Sequence, residues 1–113
     1  MLATYVQEGN QIDFVPDDDV AAGDVLVLGD LVAVAWRAIK AGELGSLVVG
    51  DAVFDLPKTA GAGTAIPFGS RVFWDEADEV AKTDDETGAN KYLGKTAKAA
   101  GDDDTAVRVR LSQ

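Results

Sequence analysis

The reactive side chains of this sequence are almost all carboxylates: 20 Asp and Glu stand against 10 Lys and Arg, with no His and no Cys among 113 residues. Without imidazole or thiol there is no Ser-His or Cys-His nucleophile pair, no sulfur-built zinc site and no side chain that titrates near neutral pH unaided. Catalysis would have to rest on carboxylates, Lys or Tyr. Among so many acids some pair will always fall at a separation that suits glycoside hydrolysis, so such a pair carries no information. The triplets Asp17-Asp18-Asp19 and Asp102-Asp103-Asp104 lack the alternating Asp, the Gly and the distal Glu of a helix-loop-helix calcium site. Neighbours in extended chain also point opposite ways, so both triplets read as solvated turns. The sequence therefore assigns no catalytic residue, no cofactor and no metal, and the expectation is a protein that is not an enzyme.

The net charge of −10 repels phosphate backbones and anionic bilayers. Nucleic acid and membrane are accordingly not expected as partners, and solubility or a salty habitat is the simplest reason for the acids. The sequence opens without a basic segment and apolar stretch, and its longest apolar run, Leu31 to Trp36, is far too short to span a bilayer. A soluble protein is expected.

The remaining side chains with binding potential are aromatic. Rings on apolar strands are usually core, which covers Phe73 and Tyr92. Trp36 and Trp74 lie at strand ends beside charged residues, where an amphipathic ring can anchor a protein interface. Together with Tyr5 and Phe14 they form the candidate oligomer or partner interface.

The elements that carry these residues read as strands. Tyr5 to Glu8, the Gly9-Asn10 loop and Gln11 to Val15 have the form of a β-hairpin with a primed turn, placing Tyr5 opposite Phe14 and Gln7 opposite Ile12. Val25 to Leu28, Gly29-Asp30 and Leu31 to Trp36 form a second hairpin. Both of its faces are apolar, so it needs cover on both sides, from a second sheet or from another subunit. A stretch from Leu47 to Leu56 follows, bent at Gly50 and stopped by Pro57. Arg71 to Trp74 pairs with Val80 to Thr83 across an acidic turn, Tyr92 to Ala100 is read as strand despite its Ala and Lys, and Ala106 to Leu111 alternates with Val107, Val109 and Leu111 inward. A Gly followed by Asp or Ser recurs before strands at Gly23, Gly50, Gly69 and Gly101, at irregular spacing, where Gly gives a positive φ and the polar side chain can satisfy a nearby N–H. The expected architecture is one all-β domain over residues 1–113, a small antiparallel β-barrel or β-sandwich with long acidic turns.

The order of the pieces also carries a resemblance. The opening Tyr5-Val6-Gln7-Glu8-Gly9 leads to Ala22-Gly23-Asp24-Val25-Leu26-Val27, Ala41-Gly42-Glu43 with Gly45, and Val53-Phe54-Asp55-Leu56-Pro57-Lys58. These are followed by Phe68-Gly69-Ser70-Arg71-Val72-Phe73-Trp74-Asp75, Leu93-Gly94 and Val107-Arg108-Val109-Arg110-Leu111. In sequence they resemble the capsid cement, or head decoration, family of tailed bacteriophages and prophages. The acidic Asp17 to Asp19 insert, the acidic turn from Asp75 to Glu79, and Lys95 and Lys98 depart from the usual pattern and leave strand ends and oligomer contacts open. The resemblance implies a structural subunit, made in the bacterial host cytoplasm, that binds the outer surface of the expanded head. Its implied partners are the major capsid protein and copies of itself, with a trimer placed ahead of a dimer. An alternative reading is a carbohydrate-binding or host-surface adhesion module displayed on a virion. Carrier domains with a modified Lys at a hairpin tip do not fit, because neither Gly9-Asn10 nor Gly29-Asp30 offers a lysine.

Overall fold

The computed structural model describes residues 2–113. Its strands are β1 (Gln11–Phe14), β2 (Val25–Leu28), β3 (Leu31–Val34), β4 (Gly45–Val48), β5 (Gly50–Pro57), β6 (Arg71–Asp75), β7 (Val80–Lys82), β8 (Lys91–Thr96) and β9 (Ala106–Ser112), with one short 3-10 turn at Glu86–Gly88. Two antiparallel sheets form, in the orders β1-β4-β3-β2 and β5-β9-β8-β6-β7, and neither closes into a barrel. The all-β expectation holds in its sandwich-like form.

The second hairpin folds as its sequence dictates. Val25 pairs with Val34 and Leu28 with Leu31, and Gly29 takes the positive φ of the two-residue turn at +67°. Alternation then splits its apolar side chains. Val25, Val27, Val32 and Val34 join the core shared with the second sheet. Leu26, Leu28, Ala33 and Ala35 face the other way, into a smaller cluster with Val20, Ile39 and Leu47. In β9, Val107, Val109 and Leu111 are buried as the alternation requires, while Arg108 and Arg110 point out and meet Asp55 and Asp51 at 2.9 Å.

The first hairpin does not form. Gly9 and Asn10 make a turn, but residues 2–8 are not in a strand, so Tyr5 never comes opposite Phe14. β1 pairs instead with β4, Ile12 against Leu47 and Phe14 against Gly45, because that partner offers a buried leucine that a short polar return strand cannot. The stretch from Leu47 to Leu56 is two strands rather than one: the backbone turns at Val49-Gly50 and passes from the first sheet to the second. β8 ends at Thr96, beyond which Ala97 N–H still donates to the Arg108 carbonyl at 2.8 Å and an isolated bridge pairs Ile66 with Ala100.

The two sheets are one plan used twice. Adding 46 to β2 numbers and 61 to β3 numbers converts the pairs Val25–Val34 and Leu26–Ala33 into the observed pairs Arg71–Lys95 and Val72–Gly94. The same offsets convert the flap bridge Val20–Ile39 into Ile66–Ala100. They also turn the bond from Gly23 N–H to the Ala35 carbonyl into that from Gly69 N–H to the Thr96 carbonyl. Strand order repeats as well: β1-β4-β3-β2 matches β5-β9-β8-β6, and β7 is the second half's addition. The recurring Gly-Asp and Gly-Ser turns are irregular in spacing because residues 75–90, with β7, lengthen one hairpin of the second half.

The halves are joined by more than packing. The side-chain amide of Gln113 accepts from Val32 N–H at 2.8 Å and donates back to the Val32 carbonyl, with a further bond to the Val49 carbonyl at 3.1 Å. That two-way exchange with one residue is the pattern of an antiparallel hydrogen-bonded pair. β3 and β4 share only the pair Val34–Val48, and the amide extends the ladder where β4 turns away.

Candidate functional site

Several of the acids are bound into turns. Asp19 accepts from Ala41 N–H at 2.9 Å, Asp24 from Ala21 N–H at 2.9 Å, Asp102 from Ala65 N–H at 2.9 Å and Asp104 from Gly101 N–H at 2.8 Å. These carboxylates satisfy turn amides, the local work for which Asp is suited. Among the described residues no group of three or more acids is arranged to hold a metal ion.

Two carboxylates are tuned, and both serve structure. Asp75 is buried at the end of β6, where it accepts from Lys82 at 2.7 Å and from Asp78 N–H at 3.1 Å. The Lys82 bond first, then the backbone bond, hold its carboxyl below the usual range. Lys82 also reaches Asp78 at 3.0 Å and Glu86 at 3.4 Å, and its hydrogen bonds to Asp75 and Asp78 raise its pKa. One ammonium thus folds the acidic turn between β6 and β7 onto itself. On the outer face of the second sheet, the bidentate contact with Arg108 lowers the pKa of Asp55 and raises that of Arg108. That pair is exposed, and its contribution to stability is correspondingly small.

The surfaces suited to binding are apolar. On the outer side of the first sheet, Ile12, Phe14, Leu26 and Leu28 pack against the smaller cluster yet stay only partly buried. Their counterparts in the second half, including Leu56, Val72 and Trp74, are buried, because the first sheet covers them. A groove of about 650 Å³ runs along β2, lined by Phe14, Leu26 and Trp74 and by Asp17, Asp24 and Glu76. Beside β3 a second surface exposes Trp36 and Leu44, at 50% and 70%. The Arg37 guanidinium lies 4.7 Å from the Trp36 ring centroid, a stacked cation at a desolvation-ready aromatic.

The four aromatics singled out in the sequence separate here. Tyr5 is exposed on the segment before β1, Trp36 is half-exposed, and Phe14 is half-buried at the groove. Trp74 is different: only 4% of it is exposed, and it belongs to the core between the sheets. Its placement as an outward anchor is corrected by alternation along β6, which turns Val72 and Trp74 inward and Arg71 and Phe73 outward. Phe73 pairs edge-on with Tyr92 at 5.6 Å, and Arg71 lies over both rings, so these two are partly exposed rather than core.

Sequence reasoning missed the exposed apolar residues Leu2, Val6, Leu44 and Phe68, because an isolated Leu or Val carries no signal of which face it will occupy. It also missed Lys58, which is buried at 5% exposure. Its ammonium donates to the Thr59 carbonyl at 2.8 Å, the Thr64 hydroxyl at 3.1 Å and the Asp104 carbonyl at 3.2 Å. All three protons find acceptors, and the flap between β5 and β6 is tied to the turn before β9. The signal was Pro57-Lys58 directly after an apolar strand.

A family model described as phage cement protein matches residues 6–111. No curated protein and no solved structure matches the chain.

Proposed function

This chain belongs to the phage cement protein family, and from that premise we propose that it acts on the outer surface of the expanded head as a homo-oligomer that contacts the major capsid protein and bridges capsomers. Family membership itself makes it a structural protein that binds the phage capsid and stabilises it. The observation that carries the finer reading is the unequal cover of the two halves: the second half is sealed by the first, while the first leaves Ile12, Phe14, Leu26 and Leu28 half-covered beside exposed Trp36 and Leu44. Such a surface gains by being covered, and many modest contacts repeated over a lattice give avidity. Tyr5, Phe14 and Trp36 are the interface residues we assign. We further infer a single domain over the whole chain, supported by the core shared between the sheets, and no catalysis, supported by acids that serve turns and ion pairs.

An outer position is favoured by the charge of −10, since packaged DNA repels it. The adhesion alternative rested on exposed aromatics, and the burial of Trp74 removes one of them. The test is to assemble expanded heads with and without the protein and to follow DNA release on heating. Heads lacking it should release DNA at lower temperature, and Trp36→Ala should weaken rebinding without altering the fold. Equal heat stability of the two preparations refutes the bridging role, and protection of the bound protein from added protease in intact heads refutes the outer position.

A further inference from the structure

The repeated plan of the two sheets exposes one difference at their edges. In the second half the strand equivalent to β2 is β6, and β7 covers its outer side through the pairs Phe73–Lys82, Trp74–Ala81 and Asp75–Val80. Moving back by the offset of 46, that stretch corresponds to Val27, Leu28 and Gly29. β2 pairs with β3 on one side and ends the sheet on the other. Val27 and Leu28 line the groove that runs along this edge.

Edge strands are normally guarded against pairing with other chains by a charge, a proline or a covering element. β1 carries Asp13, β5 carries Asp51, Asp55 and Pro57, and β7 carries Lys82. β2, the sequence Val-Leu-Val-Leu, carries none of these. Among the described residues it is the one edge strand with no guard in its own sequence.

A complementary piece lies before β1. Residues 2–7 belong to no strand, contain no charge and expose Leu2, Tyr5 and Val6. The groove wall is acidic, with Asp17, Asp18, Asp19, Asp24, Glu76 and Glu79. In a chain of net charge −10, contact between two copies at this wall is repulsive unless the segment delivered there brings no acid, and residues 2–7 meet that condition.

We propose that residues 2–7 of one copy add as a strand to the β2 edge of a second copy, serving the first half as β7 serves the second. Main-chain bonds supply the pairing, and the apolar side chains of the arm enter the groove beside Leu26 and Leu28. The inference rests on the homo-oligomer reading above and specifies its contact.

The test measures mass by sedimentation equilibrium for the full chain and for the double variant Thr4→Pro, Tyr5→Pro. This variant removes one N–H from each edge of the extended arm and lies outside every strand, so folding is not at issue and circular dichroism can verify that. The variant should self-associate at least ten-fold more weakly. In a second experiment, Ala3→Cys and Asp30→Cys chains, which contain no other cysteine, are mixed and treated with a bis-maleimide. Dimers containing one of each chain are expected, in excess of either like pair. An oligomer whose mass is unchanged in the double proline variant overturns the strand addition and leaves the homo-oligomer reading standing. A monomeric full chain overturns both. Loss of head binding with unchanged solution mass also overturns it, by assigning the arm to the capsid.

Discussion

Replacing Gln113 with Ala tests how the two halves are held together. The substitution removes three hydrogen bonds, two to Val32 and one to the Val49 carbonyl. Val32 is fully buried and its two bonds to Gln113 are part-buried, so water replaces the lost partner only in part, whereas the Val49 bond lies at the exposed side and water can take it over. Each buried group left without a partner costs about 1–3 kcal/mol, so the two at Val32 could cost about 2–6 kcal/mol, and partial access of water places the loss in the lower part of that range, about 2–4 kcal/mol. That is a large part of the roughly 5–15 kcal/mol that holds a typical domain together. With a urea slope of about 1.5 kcal/mol per molar, the unfolding midpoint should fall by roughly 1.3–2.7 M at fixed protein concentration. Gln113→Glu should lose at least as much, because a carboxylate can accept from Val32 N–H but presents acceptors to two carbonyls. A midpoint for Gln113→Ala within about 0.3 M of the parent, at unchanged slope, would mean that the amide holds nothing and that the strand ladder alone secures β3.

Two further outcomes follow from the geometry. Gly94 sits where β8 crosses β9 with φ of +157°, and a Cβ there would overlap the Arg110 carbonyl and crowd Ser112 N–H; because the obstacle is backbone, Gly94→Ala should cost more than about 3 kcal/mol in urea unfolding, beyond the usual range for a single substitution. Asp75 and Asp55 have folded pKa values below their ordinary ones, so their contribution is present above the unfolded carboxylate range near about pH 4 and is lost as pH falls through the lowered values. Thermal midpoints should therefore drop steeply on acidification below about pH 4, and Asp75→Asn, which removes the ion pair between the buried carboxylate and Lys82, should flatten that drop.

The parts of this fold that could be read in the sequence are those where local pattern and final environment agree. β2-Gly29-Asp30-β3 and β9 carry their own turn chemistry or strict alternation, and both appear with the expected register and faces. The first hairpin failed because its evidence was local while the decision was not: Ile12 had a better partner in Leu47, 35 residues away in sequence. Trp74 departs from expectation for a related reason: neighbouring charge suggests exposure, whereas period-two geometry turns the ring inward. The duplication was visible only as stray Gly-Asp and Gly-Ser steps, because a longer hairpin in one half destroyed the spacing that repeat detection depends on. The binding surface was half legible. A two-faced apolar hairpin announced a need for cover, but which face the second sheet would take depends on packing that no single strand encodes.

Equivalent positions on one face of each sheet show where layering stops. Val25, Val27, Val34 and Val48 of the first half occupy the places that in the second are Arg71, Phe73, Lys95 and Arg110. The same scaffold thus wears grease where it is to be laid on a neighbour and charge where it is to meet water. With that finish on its far side the duplicated unit terminates itself, as end repeats do in longer arrays. Thickness is fixed at two leaves, and the molecule is left with one dressed end and one raw end, a built-in direction for whatever it is laid against.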